Sequence, residues 1–192
     1  MYCAVTLTLC PITKKGKWPG ATYQYPDLLP LISTFEKPIF ALSFDQESGL
    51  KIFVEADSQK PSLLSLDKWQ TGDSLELFID TRASLEARTK HRFFHHFVLF
   101  PEMVEGISSR LFRLEDTLDN TVQADCSFEK GRIAYDVTIP WNLLDGFELE
   151  DKASFGFGFR LNRTGSPSLY FPVASDLIDR MPLLLSRIEV SS

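Results

Sequence analysis

The sequence predicts an all-β protein, a sandwich or barrel of antiparallel strands. Three observations carry this. Residues 72–82 (Gly-Asp-Ser-Leu-Glu-Leu-Phe-Ile-Asp-Thr-Arg), 133–144 and 155–162 alternate apolar and polar side chains with period two, the mark of strands with one face in a core. Roughly ten short runs of this kind are separated by turn signals at regular spacing. Phenylalanine fills 16 of 192 positions, and aromatic enrichment suits the pleated, half-buried surface of a sheet.

In chain order, residues 1–9 read as a first strand, with Thr6 and Thr8 alternating with Val5, Leu7 and Leu9. Residues 11–38 form an arm carrying Pro11, Pro19, Pro26, Pro30 and Pro38 with Trp18, Tyr23 and Tyr25; its prolines remove donors and exclude a helix. Residues 39–44 and 50–56 are strands around a Gln46-Glu47-Ser48-Gly49 turn. Residues 60–70 are an irregular link, 74–80 a strand, and 83–90 a polar turn or loop. Residues 91–100, apolar on both faces, read as a central strand. Residues 101–120 fit a strand or a short helix. Residues 121–128 and 132–139 make a hairpin around Glu129-Lys130-Gly131, and 140–144 one helical turn opened by Pro140. Residues 153–162 are a long strand, 168–173 its partner, and 187–190 the last strand. A chain of 192 residues fits one domain, able to form its core without disulfides or metal.

Composition excludes several function classes. The formal net charge is −6, against polyanion binding, and the basic run Lys14, Lys15 and Lys17 is too short to argue from. Three cysteines, Cys3, Cys10 and Cys126, cannot all pair within the chain and read as reduced thiols. Residues 1–10 lack the basic start and cleavage site of a signal peptide, and no window approaches the ~20 apolar residues of a membrane span. The expectation is a protein kept in a reducing, cytoplasmic compartment.

Three segments together resemble a known family. Residues 72–80 are similar to the D-D-x-h-E-h-F-h-D strand (h apolar) of family 9 carbohydrate-binding modules and their DOMON-like relatives. Residues 135–144 (Tyr-Asp-Val-Thr-Ile-Pro-Trp-Asn-Leu-Leu) resemble their Y-x-h-x-h-I-P-W-x-x-L element, and 155–163 the h-G-h-x-h-x-h-N strand that follows. Order and spacing agree over residues 38–173. The resemblance implies a jelly-roll-like antiparallel β-sandwich, here with a proline-rich N-terminal arm. It also implies a non-catalytic protein that clamps a sugar between two aromatic side chains. Gly72 stands where the family has its first aspartate, and the acidic, tryptophan-ended opening is absent. The family's calcium-binding acids cannot be placed, so no metal and no cofactor is assigned.

Sugar binding needs an aromatic plate for the apolar face of a pyranose and planar polar groups for its hydroxyls. Trp69, before the strand at 74–80, matches the first plate. Tyr170, after the turn at 164–167, is the nearest substitute for the second. Arg82, Arg160 and Asn162 are the candidate hydrogen-bonding groups. Within 155–162 one face carries phenylalanines and Leu161, the other Gly156, Gly158, Arg160 and Asn162. Strand glycines mark close approach by a ligand or another backbone, or tight packing beneath a loop. Glu76 and Asp80 share one strand face, which reads as solvated rather than as a glycosidase pair. His91, His95 and His96 read as structural, with His95 and Met103 the candidates for a haem-binding rival. A second rival is a protein-interaction module that kept the fold, lost the sugar cleft and meets its partner through the arm.

Overall fold

The computed structural model describes residues 7–9, 38–45, 47–59, 66–83, 87–112, 117–119, 122, 124–148, 154–172 and 174–190. Among these the regular structure is twelve strands and three single 3-10 turns. The strands are β1 (Leu7–Leu9), β2 (Ile39–Asp45), β3 (Gly49–Asp57), β4 (Ser74–Asp80), β5 (Phe94–Val104) and β6 (Ile107–Phe112), followed by β7 (Thr117–Asp119), β8 (Ala124–Glu129), β9 (Arg132–Ile139), β10 (Ser154–Arg163), β11 (Ser166–Phe171) and β12 (Ser186–Val190). They form a sandwich. The large sheet runs β1-β12-β10-β4-β5-β6-β7, with β11 also on β10, and the small sheet runs β2-β3-β9-β8. The pairings are antiparallel except the short parallel contact of β1 with β12.

Alternation along each strand builds the core. Phe40, Leu42 and Phe44 of β2 and Ile133, Tyr135 and Val137 of β9 face Leu75, Leu77 and Ile79 of β4 and the phenylalanines of β10. Phe40 is a hub, its ring centroid 4.5 Å from Phe171, 5.5 Å from Phe159 and 6.4 Å from Phe157. Burying each such side chain contributes about 1.5–3 kcal/mol, which is where the phenylalanine surplus goes. The β8–β9 hairpin closes through Lys130 (φ 51) and Gly131 (φ 78), the left-handed pair of a type I′ turn. After β9, Pro140 opens the 3-10 turn Trp141–Leu143, and the Trp141 ring stacks on Phe147 at 5.3 Å against the edge of the core.

The large sheet is buried on both faces at its centre, in β4 and β10. All seven residues of β4 are buried, so the solvated reading of Glu76 and Asp80 is corrected here. Two covers lie on its outward face. Ile178, Leu184 and Leu185, from a strap at 174–185, pack on Phe78 and Phe94. Leu66, from the 3-10 turn Leu66–Lys68 before β4, and Trp69, just after it, pack on Val98, Phe100 and Phe112. The outward glycines of β10 lie under the strap: a Cβ at Gly158 would stand 2.9 Å from Leu185 Cδ2 and from the Phe171 carbonyl oxygen. Packing beneath a loop is therefore the reading that holds for these glycines.

Other boundaries moved. Residues 91–93 precede β5 as a turn, and β5 runs on through Pro101 to Val104 before reversing into β6. Residues 107–112 and 117–119 are strands. The arm up to residue 37, with Trp18, Tyr23 and Tyr25, lies outside the described residues, as do Cys3 and Cys10. Cys126 is a free, half-buried thiol that burial pushes up to about 11.

Candidate functional site

The polar groups of interest lie on the outward face of the large sheet. Antiparallel register fixes them in a row: Tyr170 of β11 beside Arg160 of β10, beside Glu76 of β4, beside Val98 of β5, beside Arg110 of β6. Strands are about 4.8 Å apart, so neighbours in the row are within side-chain reach. One step along, Asn162 is opposite Ser74, and on the other side His96 is opposite Phe78.

Glu76 is the hub. It is 0% exposed, and both carboxylate oxygens are occupied. Oε1 accepts from Arg160 Nε at 2.7 Å and Asn162 Nδ2 at 2.7 Å. Oε2 accepts from Arg160 Nη2 at 2.8 Å and lies 2.8 Å from His96 Nε2. Burial alone would raise the Glu76 pKa, but the hydrogen bonds from His96 and Arg160 and their charge outweigh it and bring it to about 2. An ionised carboxylate only accepts, so His96 donates through Nε2. Burial holds the imidazole below its ordinary pKa, against the pull of Glu76. The assignment of Glu76 to solvent is thus overturned: a cation from the next strand makes burial of the carboxylate tolerable.

The network reaches both flanks. Asn162 Nδ2 also donates to Ser74 Oγ at 3.0 Å, and Ser74 Oγ donates to the Trp69 carbonyl at 2.7 Å. Ser168 Oγ of β11 donates to Asn162 Oδ1 at 3.0 Å. Trp69 therefore begins where the network ends, its ring 5.2 Å from Phe112 and its Nε1 buried without a hydrogen-bond partner. At the opposite flank the Tyr170 hydroxyl donates to Asp176 at 2.9 Å.

Of the five residues read from the sequence, Arg160 and Asn162 meet on Glu76, Tyr170 is next to Arg160, and Trp69 joins through its carbonyl. Arg82 lies elsewhere. It follows the far end of β4, about 20 Å along the chain from Glu76 at ~3.3 Å per residue, with its guanidinium 4.6 Å from the centroid of Phe93. Glu76, His96 and Asp176 were missed. The sequence did offer a signal for the first: an acid on β4 and an arginine on β10 each sit among the residues that alternate away from the core.

Among the described residues, the two pairs that the rival chemistries would need are too far apart. Glu76 and Asp80 are four residues apart, about 13 Å between Cα atoms, whereas a retaining pair needs its carboxyls within about 5.5 Å. Asp80 Oδ1 accepts the Arg82 amide at 3.1 Å, and its Oδ2 lies 3.6 Å from His91 Nε2. His95 and Met103 sit eight positions apart on β5, roughly 25 Å, so they cannot ligate one haem iron. His95 Nε2 instead meets the Asp145 carbonyl at 3.4 Å. Among the described residues no three His, Cys, Asp or Glu side chains are grouped to hold a metal ion, and no helix is long and apolar enough to cross a membrane.

No protein-family model and no curated protein matches the chain. Solved structures do. A family 9 carbohydrate-binding module from Caldicellulosiruptor kristjanssonii, in complex with glucose, superposes with a TM-score of 0.67 at 12% identity, covering 98% of this chain and 96% of that one. The cellotriose complex of such a module from the same organism gives 0.65 at 12% identity, over 98% and 94%. A protein from Bacteroides uniformis gives 0.55 at 6% identity, over 97% and 98%. The chain shares the β-sandwich fold of these family 9 modules.

Proposed function

We propose that this chain is a non-catalytic binding domain that takes a saccharide on the outward face of its large sheet, at Arg160 between Trp69 and Tyr170. The observation that carries the reading is the Glu76 network. Two hydrogen bonds fix the Arg160 guanidinium before any ligand arrives, so little conformational entropy is lost on binding. The Tyr170 ring, beside Arg160 on the next strand, and the Trp69 ring, across the same sheet face on Phe112, are the aromatic surfaces offered to a pyranose. Asn162, engaged by Ser74, Glu76 and Ser168, acts by positioning, and Arg160 makes the hydroxyl contact. The likeness of the fold to modules solved with glucose and cellotriose supports the same reading.

A glycan array followed by saccharide titration of tryptophan fluorescence tests it. A saturable change that disappears in Trp69→Phe, with Trp141 and Trp18 retained, is the expected result. An array without a response, together with fluorescence unmoved by glucose or cellotriose, would remove saccharide binding. It would leave the interaction-module reading, which a pull-down with and without residues 1–37 addresses.

A further inference from the structure

The connection from β4 to β5 gathers arginines that have no acidic partner. Among the described residues Arg110, Arg132, Arg160, Arg180 and Arg187 each lie within 3.8 Å of a carboxylate, and Arg163 donates to the carbonyls of Asp57 and Pro167. Arg82, Arg88 and Arg92 do neither, and all three stand in this one connection. In a chain with 26 acids against 20 bases, arginines without a carboxylate are the exception. Two of them converge on one ring. The guanidinium carbons of Arg82 and Arg92 lie 4.6 and 4.4 Å from the centroid of Phe93, so they are at most about 9 Å apart. The ladder explains the meeting. Asp80 pairs with Phe94, and the Thr81 amide donates to the Phe93 carbonyl at 3.1 Å. Continued by one more step, that register sets Arg82 opposite Arg92, and like charges so placed repel. The ring they share is pinned. The Phe93 amide donates to His91 Nδ1 at 3.3 Å, and the His91 ring meets Phe93 edge-on at 6.2 Å. Gly146, at φ 77, lets the backbone come so close that a Cβ there would stand 2.6 Å from two Phe93 ring atoms and 3.2 Å from Arg82 Nε.

We propose that Arg82 and Arg92, braced on the Phe93 ring, form a binding site for the tetrahedral oxyanion of a small ligand, a phosphate or sulfate group either free or carried as an ester. The site stands apart from the saccharide reading above and does not rest on it, since Arg82 lies past the far end of β4 from Glu76. Two arginines placed to repel each other are a local conflict, and such conflicts mark functional positions. An anion shared between them turns the repulsion into attraction. Guanidinium groups suit this because their N–H forks match oxyanions in geometry and stay charged at every relevant pH. A carboxylate offers two oxygens, enough for one guanidinium edge. A tetrahedral anion offers three or four, so it can accept from both arginines at about 2.9 Å. Both side chains are exposed, so either can turn toward a shared anion. The nearby Asp80 does not fill the place: it is buried, its Oδ1 accepts the Arg82 amide at 3.1 Å and its Oδ2 lies 3.6 Å from His91 Nε2. The net charge of −6 turns away a long polyanion, so the ligand carries a single such group.

Calorimetric titration of the full chain with inorganic phosphate and with glucose 6-phosphate tests this, at ionic strength held constant with sodium chloride. The proteins compared are the native chain, Arg82→Gln, Arg92→Gln and Arg187→Gln. Glutamine removes the charge and keeps most of the stem. Arg187, paired with Glu189 on β12, is the control for one charge lost elsewhere. The expected result is one saturable site whose affinity falls at least about fivefold in R82Q and in R92Q and less than about twofold in R187Q, with the same circular dichroism in all four. Phosphate should also raise the melting temperature of the native protein and of R187Q, and leave those of R82Q and R92Q unmoved. Tighter binding of the sugar ester assigns the site to a group carried on a ligand, and tighter binding of inorganic phosphate assigns it to the free ion; both support the site. Absence of saturable binding by either anion overturns it. An equal loss in R187Q and R92Q also overturns it, because that result is diffuse charge. So does a melting temperature raised equally in all four proteins, the general effect of phosphate on a protein surface.

Discussion

Glu76 and Arg160 meet side-on across neighbouring strands, Nε to Oε1 at 2.7 Å and Nη2 to Oε2 at 2.8 Å, although 84 residues separate them in sequence. Both are buried, Glu76 at 0% and Arg160 at 5% exposure. In such a pair each charge is tolerated because of the other. Arg160→Met should therefore cost about 3–5 kcal/mol in urea unfolding, since it leaves a buried carboxylate short of its cation. The double variant Glu76→Leu/Arg160→Met should recover most of that loss. A double variant as unstable as R160M alone would mean that the pair's role in stability is misjudged.

Acid should weaken the fold through the same cluster. Glu76 has a folded pKa of about 2, below its ordinary 4.5. Its stabilisation is full above pH 4.5 and is lost as the pH falls toward 2, at most about 3 kcal/mol. His96 titrates in the same direction. Its folded pKa lies below 6.5, so the neutral ring's contribution is present above pH 6.5 and declines in acid. Melting temperatures read by circular dichroism should fall from about pH 7 to about pH 3, and the fall should be shallower in Glu76→Gln. Equal slopes in the two proteins would take the acid response away from Glu76.

The β8–β9 turn offers a gain in stability. Lys130 holds φ 51 in the left-handed region, where a lysine is strained and asparagine is readily accommodated. Lys130→Asn, giving Asn-Gly at a type I′ turn, should raise stability by about 0.5 kcal/mol, read as a higher urea midpoint at unchanged slope. A lower midpoint would show that the lysine side chain supports the turn in some other way.

The fold was legible because its signals are local. Alternation in 74–80, 133–139 and 155–161 told the core face from the other, and the Lys130-Gly131 and Pro140-Trp141 punctuation placed a hairpin and a turn within a residue or two. The site was legible only in part. Arg160 and Asn162 stood out because they end a strand face that starts with two glycines. Glu76 did not, because a strand read by itself gives an outward carboxylate to water. Its burial depends on Arg160, on His96 and on a cover that comes from 174–185, all non-local. Asp176 and Ile178 lie in a stretch with no period to read, so nothing in the sequence set them over Gly158.

That cover yields the last prediction. A Cβ at Gly158 would stand 2.9 Å from the Phe171 carbonyl oxygen, 2.9 Å from Leu185 Cδ2 and 3.1 Å from Ile178 Cδ1. The two side chains can turn aside, but the carbonyl belongs to the backbone. At Gly156 the nearest atoms are Asp80 Cβ and Leu185 Cδ1, each at 3.2 Å, with no backbone among the three closest. Gly158→Ala should thus cost about 1–3 kcal/mol and Gly156→Ala less. Lifting the strap should also speed hydrogen exchange at the Leu183 amide, which donates to the Ala87 carbonyl at 3.1 Å. Denaturation midpoints and exchange rates for the two variants check this together. The strap does not rest on Gly158 if G158A is the milder substitution, or if Leu183 exchanges at the native rate in both.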